Sequence, residues 1–390
     1  MRFPDFTGEW EECELRDISH ISKGTGISKD QLSETGAPCI LYGELYTKYK
    51  SEIISEVLSK TDIDDNHLVH SQKNDVIIPS SGETAIDIST ARCVPFDGIL
   101  LGGDLTIIRL QKQDGRFFSY QLNGVRKLDI AKVAQGVSVV HLYGESLKRL
   151  KVKYPSIEEQ NKIASLLSLI DERIATQSKI IEDLELLKSA IIDRFFNELT
   201  ISANLLSFSE IYDKAGEGGT PDTTKPEYYE AGDIPFIKIE DLANKYIVIN
   251  KDYINNLGLC KSSAWIVPEH SIIYSNGATI GAVSINTYPI ATKQGIIGIV
   301  PKKGISIEYL YYLMTSSYFK RQVNRIITHG TMATAYLKDI NQIKVPVPCI
   351  FEQEKIANIL CKVSDKVEIE QTILSHWLAQ KQYFISHIFI

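Results

Sequence analysis

Residues 155–164 read P-S-I-E-E-Q-N-K-I-A, and residues 348–357 read P-C-I-F-E-Q-E-K-I-A. The offset of 193 residues, from Pro155 to Pro348, pairs Gln160 with Gln353, Lys162 with Lys355, Ile163 with Ile356 and Ala164 with Ala357 without a gap. Both copies then run into positions whose steps alternate four and three. The first series is Ile163, Leu167, Ile170, Ile174, Gln177, Ile181, Leu184, Lys188, Ile191 and Phe195. The second is Ile356, Leu360, Val363, Val367, Glu370, Leu374, Trp377, Lys381, Phe384 and Ile388. Eight of the ten positions are apolar in each series, and the two polar breaks fall at the same places. That periodicity predicts two long helices, each with a coiled-coil seam. Pro155 and Pro348 suit a helix start, where a missing N–H is harmless. Ser156 with Glu159 three residues on reads as a capping box. Glu158, Glu159, Glu352 and Glu354 place negative charge at the positive end of the helix dipole. An apolar stripe of this length needs a partner. Because the breaks match, the two helices are expected to pair with each other, antiparallel in the simplest intramolecular arrangement. Lys188 and Lys381 are expected to snorkel at the seam edge.

The segments before the two helices repeat more weakly. Ala37–Leu45 resembles Ile234–Leu242, Asp75–Gly82 resembles His270–Gly277, and Lys132–Gly136 resembles Ile326–Gly330, in the same order. Short branched runs bounded by Gly, Pro, Asn or Asp read as strands, among them Val76–Pro79 and Gly295–Val300. Helical spacing over 117–133 and 307–327 precedes the Gly136 and Gly330 turns. The expected fold is α+β: two similar globular domains, 1–150 and 200–345, separated by two long helices, 151–199 and 346–390, that form an antiparallel coiled coil.

The 390 residues carry a net charge of −7. The total argues mildly against nucleic acid, but the distribution is uneven. Residues 109–132 hold six basic against two acidic side chains, and residues 289–338 hold seven against one. Aromatic residues are interleaved with both stretches. Basic charge beside a glycine turn serves phosphate contacts, and polar loops read base edges. The candidate DNA-binding residues of the first half are Lys23, Gly24, Thr25, Tyr42, Ser80, Ser81, Gly82, Arg126, Lys127, Gln135 and Gly136. Those of the second half are Gly218, Gly219, Thr220, Lys238, Asn276, Gly277, Lys293, Lys320, Arg321, Arg325, His329 and Gly330. Each loop also reads as a plain turn, and each basic stretch as a solvated helix face over a buried aromatic stripe.

Six scattered cysteines without a C-x-x-C pair fit reduced cytosolic thiols, with no disulfide or zinc framework. No run of 18 apolar residues suggests a membrane span, and no signal-peptide pattern opens the chain. A phosphate-cradling G-x-x-x-x-G-K-[ST] loop, an H-E-x-x-H pair, a G-x-S-x-G elbow and the [DN]-P-P-[YF] motif of amino-methyltransferases are all missing. Nothing calls for an enzyme.

The paired Pro-x-x-x-Glu-Gln-x-Lys-Ile-Ala runs, the opening Arg2-Phe3-Pro4-Asp5-Phe6-Thr7-Gly8-Glu9-Trp10 and Gly218-Gly219-Thr220-Pro221 together resemble the DNA-specificity subunit of type I restriction–modification systems. The likeness spans essentially the whole chain. It departs at Lys23-Gly24-Thr25-Gly26, which stands where the second half has Gly-Gly-Thr-Pro. The resemblance implies a non-catalytic subunit in which each globule is a target-recognition domain for half of a bipartite, asymmetric double-stranded site. It implies that the helices set the spacer and dock two methyltransferase subunits through Glu159, Gln160, Lys162, Glu352, Gln353 and Lys355. S-adenosylmethionine would belong to those subunits, which flip out adenine, and ATP and Mg to restriction/translocase subunits. This chain would hold no cofactor or metal and would work in a bacterial or archaeal cytoplasm. The alternative is a two-module scaffold with a helical spacer that does not touch DNA.

Overall fold

Asp75–Pro79 (D-V-I-I-P) and Leu105–Leu110 (L-T-I-I-R-L) are rich in branched side chains, and they pair antiparallel, Ile77 opposite Ile107. Ser19–Lys23 and Arg92–Val94 extend them to a four-stranded antiparallel sheet. Both faces of this sheet are buried. Val76, Ile78 and Ile108 point into a core with Phe117, Phe118 and Tyr120. Ile77, Leu105 and Ile107 point the other way, against Ile40 and Leu101 of a second sheet of short strands and Leu45 of the short helix Glu44–Thr47. The computed structural model describes residues 2–64, 67–277, 279–328 and 333–389.

The second half repeats the plan. Tyr212–Glu217, Ile296–Pro301, Ile272–Ser275, Val283–Asn286 and Tyr246–Ile247 form a five-stranded sheet in that order. Ile272, Tyr274, Ile297 and Ile299 face a core with Phe208, Tyr309 and Phe319, while Ile273 and Ile296 face Ile237 and Val267. The repeat holds, but the strand alignment moves by one residue. Leu105 lies opposite Pro79, and Ile296 lies opposite Ser275. Pro79 therefore corresponds to Ser275 and Ser80 to Asn276, not Ser80 to Ser275 as the motif comparison paired them. A one-residue slip would exchange the two buried faces, and the core assignments of Ile77 and Ile273 fit only the shifted register.

The long helices span Ile157–Ser202 and Ile350–Ile388. The stretch 151–156 expected to open the first helix begins instead with a strand, Lys151–Tyr154, paired with Glu11–Glu14. Contacts divide the chain into two units, Met1–Lys179 with Thr372–Ile390, and Ile180–Gln371. By contacts, each unit is one globule together with part of both helices. In the first unit Ile163, Ala164, Leu167 and Ile170 share a core with Ile385, Ile388 and Phe389. In the second unit Ile192 and Phe196 share one with Ile356, Ala357 and Leu360. Within each unit the paired segments run antiparallel.

The buried line shifts by one position along each helix, from the expected Ile191 and Phe195 to Ile192 and Phe196, and from Phe384 to Ile385. The cause is geometric. Twenty-nine residues at about 100° each return a straight helix to within about 20° of its starting direction, whereas 28 leave it about 80° away. Ile192 stands 29 residues beyond Ile163, and Ile385 stands 29 beyond Ile356.

Lys381 departs from the snorkelling expectation. Its side chain is largely covered, 14% exposed, with the ammonium 2.5 Å from Glu52 and 2.6 Å from Asp171.

Candidate functional site

The repeated decapeptide is a latch. Gln160 Oε1 accepts from the backbone N–H of Asp114 (3.0 Å), and its Nε2 donates to Gln113 Oε1 (2.6 Å) and Pro155 O (2.8 Å). Gln353 Oε1 accepts from the N–H of Ser306 (2.9 Å), and its Nε2 donates to Gly304 O (3.2 Å) and Pro348 O (2.9 Å). Asp114 and Ser306 are the N-caps of helices Gly115–Asn123 and Ile307–Thr315. The same glutamine thus ties the start of each long helix to the start of the helix that packs on the sheet.

Glu159 is 1% exposed and takes both Nε (2.8 Å) and Nη2 (2.6 Å) of Arg2. Ser156 Oγ accepts from the Glu159 N–H at 3.4 Å, but the Glu159 carboxylate turns to Arg2, so the capping box is not reciprocal. Glu159, Gln160 and Gln353 are therefore corrected from a surface for other subunits to contacts inside their own unit, because a buried polar group needs its partners there. Lys162, Glu352 and Lys355 are exposed, with Lys162 paired to Asp5 at 2.8 Å.

The polar loops converge, and they do so by the same backbone bonds in each unit. In the first, Gly24 N donates to Leu105 O (2.9 Å), Thr25 N to Leu101 O (3.0 Å), Ser80 N to Asp104 O (2.6 Å) and Leu142 N to Ser80 O (2.9 Å). In the second, Gly218 N donates to Ile296 O (2.8 Å), Gly219 N to Thr292 O (3.0 Å), Asn276 N to Gly295 O (3.0 Å) and Ala335 N to Asn276 O (2.9 Å). Gly24 and Gly218 are required by close approach: a Cβ would lie 2.1 Å from Gly102 O or Thr292 O. Lys23-Gly24-Thr25, despite its different sequence, thus does the work of Glu217-Gly218-Gly219, one residue earlier than the motif comparison aligned it.

Two positions that sequence reading passed over organise these clusters. Asp104 (φ +57°) accepts from Ser80 N through its carbonyl and from Ser81 Oγ through Oδ2 at 2.9 Å. Its counterpart Gly295 (φ +86°) accepts from Asn276 N, and its own N–H donates to Glu217 Oε1 at 2.9 Å. The signal was a left-handed turn, written once with Asp and once with Gly.

Tyr42 lines a groove of about 610 Å³ with Lys29, Thr47, Lys48, Gly103 and Asp104. Ser80 and Ser81 are buried, and Gly82 with Ser81 pairs with Val140 and His141. Gln135 and Gly136 are exposed beside them, Gln135 exchanging both backbone bonds with His141. Thr220 Oγ1 accepts from Gln294 N at 3.4 Å, and exposed Lys293 donates its N–H to Ile237 O. Gly277 N also donates to Gly295 O. Asn276 is fully buried, and its Oδ1 has no partner among the described residues. His329 and Gly330 lie outside the described residues.

The basic stretches are weaker than their composition. Arg109 is held by Asp75 (2.9 and 2.7 Å) and Arg116 by Asp114 (2.6 Å). Lys238 is paired with Asp252 at 2.8 Å, and its pKa is raised by that bond. Lys127 is half-buried, its pKa lowered by burial and then by Arg92. These two are corrected from open phosphate contacts to internally engaged groups, because their charge is already matched or sunk. Arg126 lines a separate groove of about 650 Å³ with Lys132, Arg149 and Lys151. Lys320, Arg321 and Arg325 are exposed on helix Ser317–Ile326, although Arg321 reaches Ser317 Oγ (3.0 Å) and Asn197 Oδ1 (3.5 Å). The clusters offer hydroxyls, amides and peripheral ammonium groups. That inventory suits hydrogen-bonded recognition of a polyanion rather than proton or group transfer.

A family model described as the type I restriction modification DNA specificity domain matches residues 7–186 and 206–376. The MjaIX type I restriction enzyme specificity subunit of Methanocaldococcus jannaschii is 34% identical over 154 residues, 39% of this chain and 36% of that protein. The alignment thus spans about a third of that relative's length. A putative MjaX specificity subunit of the same organism is 24% identical over 93% of this chain and 88% of its own. The crystal structure of the S subunit of a type I restriction–modification system from M. genitalium has the same fold, with a TM-score of 0.62 at 18% identity over 98% of this chain and 96% of that one.

Proposed function

Since the chain belongs to the type I restriction–modification DNA specificity family and carries two of its domains, we propose that each unit reads one half of a split, asymmetric DNA site through its loop cluster. What carries this reading is the shared bonding scheme: two clusters of different sequence hang on the same backbone hydrogen bonds. Such a design keeps the frame constant and lets the side chains that face the bases differ. The exposed lysines and arginines around the clusters supply phosphate contacts. The helices, continuous through both unit boundaries, set the spacer between the half-sites.

The chain itself does no covalent chemistry in this reading. S-adenosylmethionine, ATP and Mg are used by methyltransferase and restriction subunits that assemble with it, and Lys162, Glu352 and Lys355 remain available to them. Sharing the DNA clamp with such partners explains how an acidic chain serves as the reader. The test is a titration of DNA duplex with the chain and its methyltransferase subunit. Affinity is expected to fall at least a thousandfold between 50 and 200 mM salt, about the dependence of six or more phosphate contacts. Affinity that does not change with salt would favour the two-module scaffold instead.

A further inference from the structure

In the first unit, Gln135–His141 forms a short hairpin. Gln135 N donates to His141 O at 2.9 Å and His141 N to Gln135 O at 2.7 Å. Gly136 holds φ +126°, where a Cβ would lie 2.1 Å from Val139 O, so the turn is fixed by a residue with no side chain. The hairpin is anchored to the recognition loops, His141 opposite Ser81 and Leu142 N bonded to Ser80 O. Its tip is apolar: Val137 is 98% exposed and Val139 is 52% exposed.

Single exposed valines are ordinary. This pair is distinguished by its setting, a stiffened tip among exposed polar groups. Beside its base lies the groove lined by Arg126, Lys132, Arg149 and Lys151 against Asp129 and Glu145. Asp129 is paired to Arg126 (3.4 Å) and Lys132 (3.5 Å), and Arg126 Nε is buried without a partner among the described residues. An apolar tip flanked by this mixed but net basic groove matches a duplex groove, with phosphates at its edges and base edges on its floor. A hairpin of this size fits the major groove, roughly 12 Å wide. There the unmodified bases present one apolar group, the C5-methyl of thymine.

We propose that Val137 contacts a thymine methyl in the half-site read by the first unit, and so determines specificity at that base pair. This rests on the DNA reading above. The experiment uses the full chain with its methyltransferase subunit and duplexes carrying the site mapped by sequencing the methylated DNA. Each thymine on either strand of the half-site is replaced in turn by deoxyuridine, which lacks only the methyl. For the native chain one replacement is expected to weaken binding about three- to tenfold, the effect of losing one or two buried methyl contacts. For Val137→Ala the thymine and uracil duplexes are expected to bind alike, at the weaker level. Because Val137 is on the surface, the variant keeps the fold. A half-site without thymine, an unchanged affinity of Val137→Ala, or a uracil penalty that persists in the variant would each overturn the proposal. Failure of every duplex to bind the native chain would instead strike the DNA reading itself.

Discussion

At Lys381 one side chain decides whether two carboxylates can be buried together. Glu52 and Asp171 both lie on its ammonium, and Asp171 Oδ2 also accepts from Tyr120 OH (2.6 Å) and Ser51 Oγ (2.9 Å). Burial lowers the Lys381 pKa more than any other single cause, but attraction to Glu52 and Asp171, with their hydrogen bonds, outweighs it and leaves the pKa raised. A raised lysine pKa contributes stability that is complete below the unfolded value of roughly 10.4 and is lost as pH climbs through the folded value. The pairing therefore holds across neutral and mildly alkaline pH. Lys381→Met is expected to destabilise the first unit by about 3–5 kcal/mol, because it strands both carboxylates. A denaturant titration reads the loss, and the triple variant with Glu52→Gln and Asp171→Asn should regain most of it. An unchanged midpoint for the single variant would refute this account. Sequence showed Lys381 only as a polar break in a heptad. Its partner Glu52 is 329 residues away, beyond the reach of any periodicity.

Among the elements, the long helices were the most legible and the central strands the least. A seam repeated over four heptads announces itself, and even its one-residue drift follows from the mismatch between 3.5 and 3.6 residues per turn. The strands Asp75–Pro79 and Ile272–Ser275 are buried on both faces, so no alternation of polar and apolar residues marks their parity. Matching glycines then set the alignment one residue off, since Gly82 and Gly277 stand one step apart in the two frames. The closing segment of the second helix gives the sharpest test at this scale. Ending the chain after Gln371 removes Ile385, Ile388 and Phe389 from the first core, each contributing roughly 1.5–3 kcal/mol when buried. Hydrogen exchange should show protection lost in Asp75–Pro79 and Leu105–Leu110 but retained in Ile272–Ser275 and Ile296–Pro301. Equal loss in both sheets would contradict the division into two units.

For the whole molecule, the duplication was legible because it is written twice in order, whereas the loop clusters were legible only in part. Glycine and polar composition located Gly24, Ser81, Gly218 and Asn276, but Asp104 and Gly295 act through backbone geometry that composition does not record. If the helices set the spacer, lengthening both should lengthen it. Seven residues inserted after Lys179 and seven after Gln371 keep the heptad register and add roughly 10.5 Å of helix. At about 3.4 Å per base pair, the modified site is expected to gain about three base pairs between its halves, read by sequencing methylated DNA. An unaltered spacing in an assembled complex would remove the helices from that role.

The split first unit also sets an order of events during synthesis. Between Lys179 and Thr372 the chain runs through 192 residues that belong to the other unit. At about 5–20 residues per second, the ribosome needs roughly 10–40 s to cross them. Through that interval the nascent Phe117 core lacks its cover, and Glu52 and Asp171 lack their cation. Residues 180–371 meanwhile are contiguous and can close on their own. The half that leaves the ribosome first is the half that matures last.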